Sequence, residues 1–271
     1  MGDFFSGKVV WVTGASSGIG RALVKQLSPL GCFLVLSARE GHRLGIIAAE
    51  EGLTEANSLI LPFDLGAMPE SRGLMGKIIE KFSRIDILIN NGGVSQRSRV
   101  LETDAETERR LMEINYFSHV AISKQVLSQF IRQGGGGNIV VMSSIVGKFG
   151  YYLRSTYSAS KHALQGYFES LRLEYEDQGI RVLIVYPGKI DTEMPERALG
   201  QGGKLHGKEE QSHKEGMAPE ECAAKIIKAL ELGRQDILIG RGEIWAVGLK
   251  AWAPFLFRRV IRKGKGREKG E

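Results

Sequence analysis

The sequence is poor in cysteine and has no uninterrupted apolar run of the roughly 20 residues that a bilayer span needs. Its only cysteines, Cys32 and Cys222, predict neither a disulfide framework nor a metal site, and they favour a reducing compartment. The first residues carry no basic region or long apolar stretch, so we expect no signal peptide. Gly2 and Ser6 match the bare myristoylation pattern, but we interpret them as a short lead-in to a strand. These features predict a cytoplasmic protein.

Charge is unevenly placed along the chain. The net charge is +6, and residues 250–271 alone carry eight Lys/Arg against two Asp/Glu, which gives the same +6. Residues 1–249 therefore balance, with 29 charges of each sign. A basic tail of this kind can attract nucleic acid or anionic lipid. We expect no nucleic-acid partner, because neither a helix-turn-helix pattern nor a clear aromatic stacking platform accompanies the tail.

The sequence alternates predicted strands and helices. Near-continuous apolar runs predict parallel strands that are buried on both faces. The alternation predicts an α/β, Rossmann-type doubly wound sheet of about seven strands, with helices on both faces. The predicted strands are 8–13, 32–37, 58–63, 85–90, 138–143, 181–186 and 236–239. The predicted helices are 18–30, 40–52, 68–83, 104–133, 155–178 and 219–232.

The length suits one enzyme-sized domain over residues 1–243, with residues 244–271 as an apolar and basic appendage. An irregular stretch at about 189–218 is long for a connection, and loops of this kind usually bind or cover a ligand. His206 and His213 lie in it, seven residues apart in a polar context. No cysteine or paired carboxylate joins them, so we predict no metal site.

Tyr157 and Lys161 stand four residues apart in a predicted helix and so share one face. A free phenol, with a pKa near about 10, is a poor base at neutral pH. A nearby ammonium group favours the phenolate, so Lys161 is expected to lower the pKa of Tyr157 and make it a proton donor and acceptor. Such a pair also occurs by chance on helix surfaces, and further motifs must decide.

A glycine-rich turn follows the first predicted strand, in the pattern Thr-Gly-x-x-x-Gly-x-Gly at residues 13–20. This layout of strand, turn and helix start is typical of a dinucleotide-binding βαβ unit. Gly14 allows the turn, Gly18 lets the backbone approach a pyrophosphate, and Gly20 lets helix and strand pack closely. The helix start then offers free N–H groups to phosphates. A purely structural tight turn is the alternative.

With these motifs, residues 8–240 resemble the short-chain dehydrogenase/reductase family. The motifs stand in the family's order: residues 13–20, Asp64, residues 90–93, Asn115, Ser143-Ser144, residues 157–161 and Pro187-Gly188. One departure is glycine at position 92, where the family usually has alanine. Together with residues 94–98, this stretch resembles the branch that contains the 11β-hydroxysteroid dehydrogenases and the member 7 dehydrogenase/reductases.

The resemblance implies a catalytic set of Asn115, Ser144, Tyr157 and Lys161. Tyr157 would exchange the proton, while Lys161 would lower its pKa and hold the nicotinamide ribose. Ser144, at the carboxyl end of a strand where ligands bind in such sheets, would hydrogen-bond the substrate oxygen. Ser143 is not chosen, because alternation at the strand end directs it elsewhere. Asn115 would hold a water that links the lysine to solvent.

The end of the second strand indicates the cofactor. Ala38 stands where NAD-dependent enzymes usually place an acid, while Arg39 can pair with a 2′-phosphate and Ser37 offers a hydroxyl. Arg21 adds positive charge nearby. We therefore expect NADP(H) to be preferred, with NAD(H) as the other candidate.

The resemblance assigns further cofactor contacts. Asp64 would bond the adenine amino group, although a turn aspartate is an alternative, and Thr192 would contact the carboxamide. The complete predicted cofactor set is Gly14, Ser16, Ser17, Gly18, Ile19, Gly20, Ser37, Arg39, Asp64, Asn91, Tyr157, Lys161, Pro187, Gly188 and Thr192.

These observations predict an NADP(H)-dependent oxidoreductase that acts on a carbonyl or secondary alcohol, with Tyr157 as its acid and base. The branch implies a lipophilic substrate such as a steroid, a retinoid or a fatty carbonyl, and the family implies a homo-oligomer. The alternative is a non-catalytic Rossmann-fold binding or scaffold protein. The match of all four catalytic positions favours the enzyme.

The C-terminal run at residues 244–257 holds two of the three tryptophans and is followed at once by Arg258 and Arg259. Aromatic bulk beside clustered cations is typical of a segment that lies in a lipid interface, so we expect peripheral membrane contact. The alternative is that the run packs on the enzyme body or on a second subunit.

Overall fold

A seven-stranded parallel sheet forms the centre of the computed structural model, which describes residues 4–67, 73–205 and 215–268. The strand order is β3-β2-β1-β4-β5-β6-β7, and every neighbouring pair is parallel. This confirms the predicted Rossmann-type doubly wound sheet. The strands are β1 (Val9–Thr13), β2 (Phe33–Ser37), β3 (Ser58–Ile60), β4 (Ile87–Asn90), β5 (Gly137–Met142), β6 (Ile180–Pro187) and β7 (Asp236–Ile239).

Alternate side chains of each central strand enter two separate hydrophobic cores, one on each face of the sheet. In β1, Val10 and Val12 belong to one core, whereas Val9 and Trp11 belong to the other. Successive residues of a strand point to opposite faces, so both sets must be apolar. The unbroken apolar runs in the sequence follow directly from this double burial.

Helices cover both faces of the sheet. Helices α1, α2 and α7 pack into the first core, while α3, α5 and α6 pack into the second. The helices are α1 (Gly18–Leu27), α2 (Gly41–Glu50), α3 (Leu74–Phe82), α4 (Ala105–Met112), α5 (Ser118–Gln133), α6 (Ser155–Tyr175), α7 (Pro219–Glu231), α8 (Trp245–Trp252) and α9 (Pro254–Glu268).

The main difference from the sequence prediction is a π-helical turn, Glu113–Phe117, which separates α4 from α5 within the predicted helix 104–133. The predicted helix 18–30 ends its α-helical part at Leu27 and continues as a 3₁₀ turn that contains Pro29. Proline cannot donate an amide hydrogen to the preceding turn. The predicted helix 68–83 is observed as α3, and residues 68–72 lie outside the described residues.

The C-terminal segment follows β7 as α8 and α9. One side of it packs on the body of the protein: Phe257 is buried, and its ring centre lies 5.2 Å from that of Phe149. Its other side is open, with Trp252 91% and Phe255 77% exposed. Among the described residues, no helix combines the length and the apolar character that crossing a bilayer would require.

Candidate active site

The site forms where the strand order reverses, between the carboxyl ends of β1 and β4. The Thr13 hydroxyl accepts hydrogen bonds from the amides of Asn91, at 3.0 Å, and Gly92, at 3.2 Å. In return, Asn91 Nδ2 donates to the carbonyls of Thr13, at 3.1 Å, and Gly14, at 3.2 Å. These bonds hold the two turns against each other and leave a crevice above them.

The glycine-rich turn packs so closely against its neighbours that two of its glycines leave no space for a side chain. Gly14 has a φ of +65°, and a Cβ there would lie 2.6 Å from the Cα of Gly92. A Cβ at Gly20 would lie 2.1 Å from the Gly14 carbonyl oxygen. The side chain of Ser17, which precedes α1, makes no capping bond, so N–H groups of the first turn remain available. This cradle fits the pyrophosphate of a dinucleotide.

A cleft of about 1400 Å³ extends from this cradle across the sheet. Arg39 and Asp64 lie at one end, and Trp245 and Trp252 of the C-terminal segment lie at the other. Every residue of the predicted catalytic and cofactor sets lines the cleft except Gly20 and Asn115, which lie behind its wall. The cleft therefore has room for a dinucleotide and for a second molecule beside it.

Tyr157 lies in the first turn of α6 and is only 8% exposed. Its phenol lies beside the Ser144 hydroxyl in the cleft. Burial raises the pKa of Tyr157, while the charge of Arg154 and the Ser144 hydroxyl act in the opposite direction. The sequence predicted a pKa lowered by Lys161. The structure differs, because desolvation of the phenol outweighs the favourable charges.

Lys161 lies one turn further along α6 and is 3% exposed. Its Nζ donates to the carbonyl of Met142, at 2.8 Å, and stands 5.8 Å from the centre of the Tyr157 ring. Burial lowers the pKa of Lys161 to about 8. The group is therefore still charged at neutral pH, but it loses its proton far more readily than an exposed lysine does.

Asn115 occupies the π-helical turn and is fully buried. Its Oδ1 accepts from the amide of Val94, and its Nδ2 donates to the carbonyl of the same residue, both at 2.9 Å. Nδ2 also lies 3.2 Å from the hydroxyl of Ser160 on α6. The side chain thus joins the π turn to the chain after β4 and to α6. π turns inside helices often occur at functional sites. The water that the family implies beside Asn115 stays a prediction.

The two serines at the end of β5 have different neighbours. Ser143 donates to the carbonyl of Lys161, at 3.0 Å, and so fastens the strand to α6. Ser144 lines the cleft beside Tyr157, and its hydroxyl lies 3.3 Å from the Pro187 carbonyl. Only Ser144 thus has its hydroxyl next to the phenol.

At the opposite end of the cleft, Ser37 Oγ accepts a hydrogen bond from the Trp11 indole, at 2.8 Å, which leaves the serine's own proton to donate. Arg39 is exposed on the cleft wall. The expected contribution of Arg21 is not observed, because its guanidinium pairs with Glu50, at 2.7 Å, outside the cleft.

Two predicted cofactor contacts also take part in local structure. Asp64 Oδ1 accepts from the amide of Gly66, at 2.9 Å, so the aspartate also shapes its turn. Thr192 lies against the glycine turn, where its Cγ2 would be 3.0 Å from a Cβ at Gly18. Both residues nevertheless line the cleft.

Three polar residues around the site are not among the predicted site residues. The ring of His119 donates from Nε2 to the carbonyl of Gly92, at 2.7 Å; burial and the charge of Lys161 lower its pKa to about 3, so the ring is neutral. Glu243 Oε1 accepts from the amide of Lys189, at 2.8 Å, in the turn after β6. Gln96 contacts the start of α6. Of the three, only Gln96 belongs to a run that the family resemblance had singled out.

Among the described residues, no group of three or more histidines, cysteines and carboxylates could hold a metal ion. Cys32 and Cys222 are buried free thiols. His206 and His213 lie outside the described residues.

The family model for short chain dehydrogenases matches residues 8–201. The chain belongs to the short-chain dehydrogenase/reductase family. It is therefore an NAD(P)-dependent oxidoreductase of that family, with a seven-stranded form of its fold.

The similar proteins include members of one branch of this family. Dehydrogenase/reductase SDR family member 7 of Homo sapiens is 40% identical over 267 residues, which cover 94% of this chain and 78% of the relative. Member 7B of Bos taurus is 34% identical over 268 residues, with 96% and 82% covered. A member 7-like protein of Anopheles gambiae is 36% identical over 267 residues, with 95% and 83% covered.

Solved structures of the family share the fold. A short-chain dehydrogenase/reductase from Burkholderia phymatum in complex with NAD superposes with a TM-score of 0.80 at 22% identity, over 91% of this chain and 94% of that one. An alcohol dehydrogenase from Thermococcus sibiricus, complexed with 5-hydroxy-NADP, has a TM-score of 0.73 at 25% identity, over 87% and 97%.

Burial of the Lys161 ammonium predicts a stability cost that can be measured. Replacing Lys161 by Met should raise the free energy of unfolding of the cofactor-free protein at pH 7 by roughly 1–3 kcal/mol. The unfolded lysine binds its proton more tightly than the folded one, so the gain should shrink as the pH rises from about 8 towards 10.5. Urea unfolding at pH 7 and pH 9.5 measures both effects. Lys124→Met, at an exposed position on α5, is the control and should change the free energy of unfolding at neither pH. A Lys161→Met protein less stable than the unmodified one at pH 7 would contradict this prediction.

Proposed function

We propose that the protein is an NADP(H)-dependent oxidoreductase that interconverts a carbonyl and a secondary alcohol, with Tyr157 as the acid and base. One observation carries the proposal: the Tyr157 phenol and the Ser144 hydroxyl line the same part of the cleft, close enough for Ser144 to favour the phenolate. A substrate oxygen placed between them can receive a hydrogen bond from Ser144 and a proton from Tyr157. When bound, the nicotinamide supplies or accepts the hydride.

The surroundings of Tyr157 suit a proton donor. Because burial raises its pKa, the phenol is protonated at neutral pH and can give its proton to the oxygen of a carbonyl. The Arg154 charge favours the phenolate that this transfer leaves behind. Lys161, held by the Met142 carbonyl, would bind the ribose hydroxyls, and a water beside Asn115 would link it to solvent.

Cofactor preference rests on the end of β2. Ala38 offers no acceptor to ribose hydroxyls, whereas Arg39 stands on the cleft wall with its guanidinium exposed. A guanidinium pairs well with a phosphate. NADP(H) is the cofactor that these two residues favour, although similar structures have been described with NAD and with 5-hydroxy-NADP.

The substrate end of the cleft supports a lipophilic carbonyl compound such as a steroid, a retinoid or a fatty carbonyl. Apolar and aromatic side chains line it, among them Phe149, Tyr151, Trp245, Leu249 and Trp252. Such walls bury apolar substrate surface and leave Tyr157 and Ser144 to orient the one polar atom. A panel of such compounds, with NADPH consumption as the readout, identifies the class.

We also infer that residues 244–271 form an appendage to a single domain at 1–243 and contact a membrane surface. Trp252, Phe255 and Leu256 expose apolar surface, and Arg258 and Arg259 are exposed beside them. Aromatic rings insert at a lipid interface while cations attract anionic headgroups. The same surface could instead bury itself in a homo-oligomer, which the family also favours.

Removing the Tyr157 hydroxyl should abolish turnover and spare cofactor binding. In Tyr157→Phe, kcat should fall by at least about 100-fold, because the proton donor is lost, while the Kd for NADPH stays within about twofold. Stopped-flow reduction assays and NADPH fluorescence titration measure these values. Tyr175→Phe, at the far end of α6, is the control. A Tyr157→Phe enzyme with near-normal kcat would refute the assignment.

Loss of the Arg39 charge should weaken NADPH binding about tenfold and leave NADH binding unchanged, since only NADPH carries the 2′-phosphate. Arg39→Ala is compared with Arg43→Ala. Arg43 lies four residues further along the chain, on α2, and does not line the cleft. Calorimetric titration of both cofactors into the unmodified protein and the two variants gives the six dissociation constants. Equal dissociation constants for the two cofactors in the unmodified protein would disprove the preference.

The membrane contact predicts co-sedimentation with anionic vesicles. The full-length protein should sediment with phosphatidylserine-containing vesicles and less with pure phosphatidylcholine, because the cations add to the aromatic contact. The double change Trp252→Ser and Phe255→Ser should release it, whereas Leu101→Ser, at a fully exposed site elsewhere, should not. If the protein stays in solution with both lipids and the double variant dissociates an oligomer, the surface is a subunit interface.

A further inference from the structure

The start of α6 is capped by a residue from a distant part of the chain. The first N–H groups of a helix lack partners within it and need acceptors from elsewhere. Arg154, which precedes α6, carries no side-chain oxygen that could serve as one. The Oε1 of Gln96 takes this place: it accepts from the amide of Thr156, at 2.9 Å, and from the amide of Tyr157, at 3.1 Å.

The other end of the Gln96 amide fixes the direction of this cap. Nε2 lies within hydrogen-bonding distance of three hydroxyls, those of Thr103, at 2.9 Å, and of Ser98 and Ser155, both at 3.2 Å. Turning the amide round would set its two N–H donors against the two backbone N–H groups of α6. The oxygen therefore faces the helix, and the side chain has one favourable orientation.

Gln96 is fully buried and also joins α6 to the irregular segment that follows β6. Its own carbonyl accepts from Arg154 Nη1, at 3.2 Å. On either side of it, the carbonyl of Ser95 accepts from Leu199 and the amide of Arg97 donates to Leu199, both at 2.9 Å. A short parallel bridge thus runs between residue 96 and this segment. Gln96 and its flanking backbone thus connect the first turn of α6 to the segment that contains Leu199.

We propose that Gln96 is a positioning residue for Tyr157. By accepting a hydrogen bond from the backbone amide of Tyr157, Gln96 fixes the position of the phenol in the cleft. The proposal rests on the function proposed above for Tyr157. The bond to the amide constrains the Cα of Tyr157 directly, and the phenol must stay within reach of the substrate oxygen that Ser144 binds in order to transfer its proton to it. Gln96 does not line the cleft, so it acts through the helix and not on the substrate.

Removing the amide has a specific expected consequence. Two N–H groups of α6 would lose their acceptor in a buried place, and the first turn would open more often. Misplacement of a reacting group by about 1 Å can cost on the order of 100-fold in rate. The glycine-rich turn that would hold the cofactor belongs to other elements and should keep its geometry.

Three variants of the full-length protein test this role. Gln96→Met keeps the length of the side chain and removes its polar atoms, whereas Gln96→Glu keeps an acceptor for the two amides. Gln165→Met is the matched control, because it removes a glutamine from a later turn of the same helix. There Gln165 Nε2 donates to Glu169 Oε1, four residues further along the helix. Hydrogen exchange of residues 155–160 in the cofactor-free protein reports capping without any need for turnover. Then kcat, KM and the NADPH Kd are measured with a carbonyl substrate that the unmodified enzyme reduces.

In Gln96→Met, exchange at Thr156 and Tyr157 should accelerate at least tenfold, and kcat should fall about 10- to 100-fold, while KM and the NADPH Kd change less than about threefold. Gln96→Glu should restore most of the protection and of kcat, and Gln165→Met should resemble the unmodified protein.

Unchanged exchange in Gln96→Met would overturn the capping. Faster exchange with unchanged kcat, or a loss that Glu does not rescue, would overturn the positioning role. If Gln96→Met does not fold, Gln96→Glu decides alone: near-normal protection and kcat support the proposal, and loss of both overturns it. Absence of turnover in the unmodified protein would count against the proposed function alone, because the exchange data would still decide the cap.

Discussion

The active end of the cleft is organised around the buried ammonium group of Lys161. A charge at this depth is unfavourable, and its pKa of about 8 measures how strongly the surroundings resist it. The Met142 carbonyl gives the ammonium one direct partner, at 2.8 Å. Burial of the ring, together with the Lys161 charge, keeps His119 neutral, and the neutral ring donates to the Gly92 carbonyl in the turn after β4. Burial is thus the largest cause of the shifted pKa in each of the three groups, Lys161, Tyr157 and His119.

Backbone atoms, more than side-chain pairs, hold the catalytic groups in place. Lys161, Asn115 and Gln96 each bind a main-chain carbonyl or amide on another element. The main chain of β4 and β5, near whose carboxyl ends these bonds are made, is hydrogen-bonded to a neighbouring strand on each side. Fastening α6 and the π turn to it fixes the phenol of Tyr157 relative to the glycine-rich turn. In this way the sheet sets the distance between the two ends of the cleft.

The fold was predictable because double burial leaves a direct trace in the sequence. Short apolar runs such as residues 85–90 favour strands with both faces covered, and glycines mark close backbone approaches, as at Gly14. The motif residues likewise indicated which residues line the cleft. The π turn at Glu113–Phe117 was not predictable, because its one extra residue per turn leaves the apolar spacing nearly unchanged. Nor were the tyrosine pKa and the Gln96 cap, since desolvation and long-range hydrogen bonds depend on the packed structure.

The most direct test of hydride transfer in this cleft uses NADPH that carries deuterium at one of the two C4 positions. A carbonyl substrate is reduced with each of the two labelled forms, and the alcohol is analysed by mass spectrometry and NMR. A cleft that holds the cofactor in one orientation beside Tyr157 should transfer deuterium to the carbinol carbon from one form only. Deuterium delivered equally from both forms, or an alcohol without deuterium from either, would contradict a directed hydride transfer.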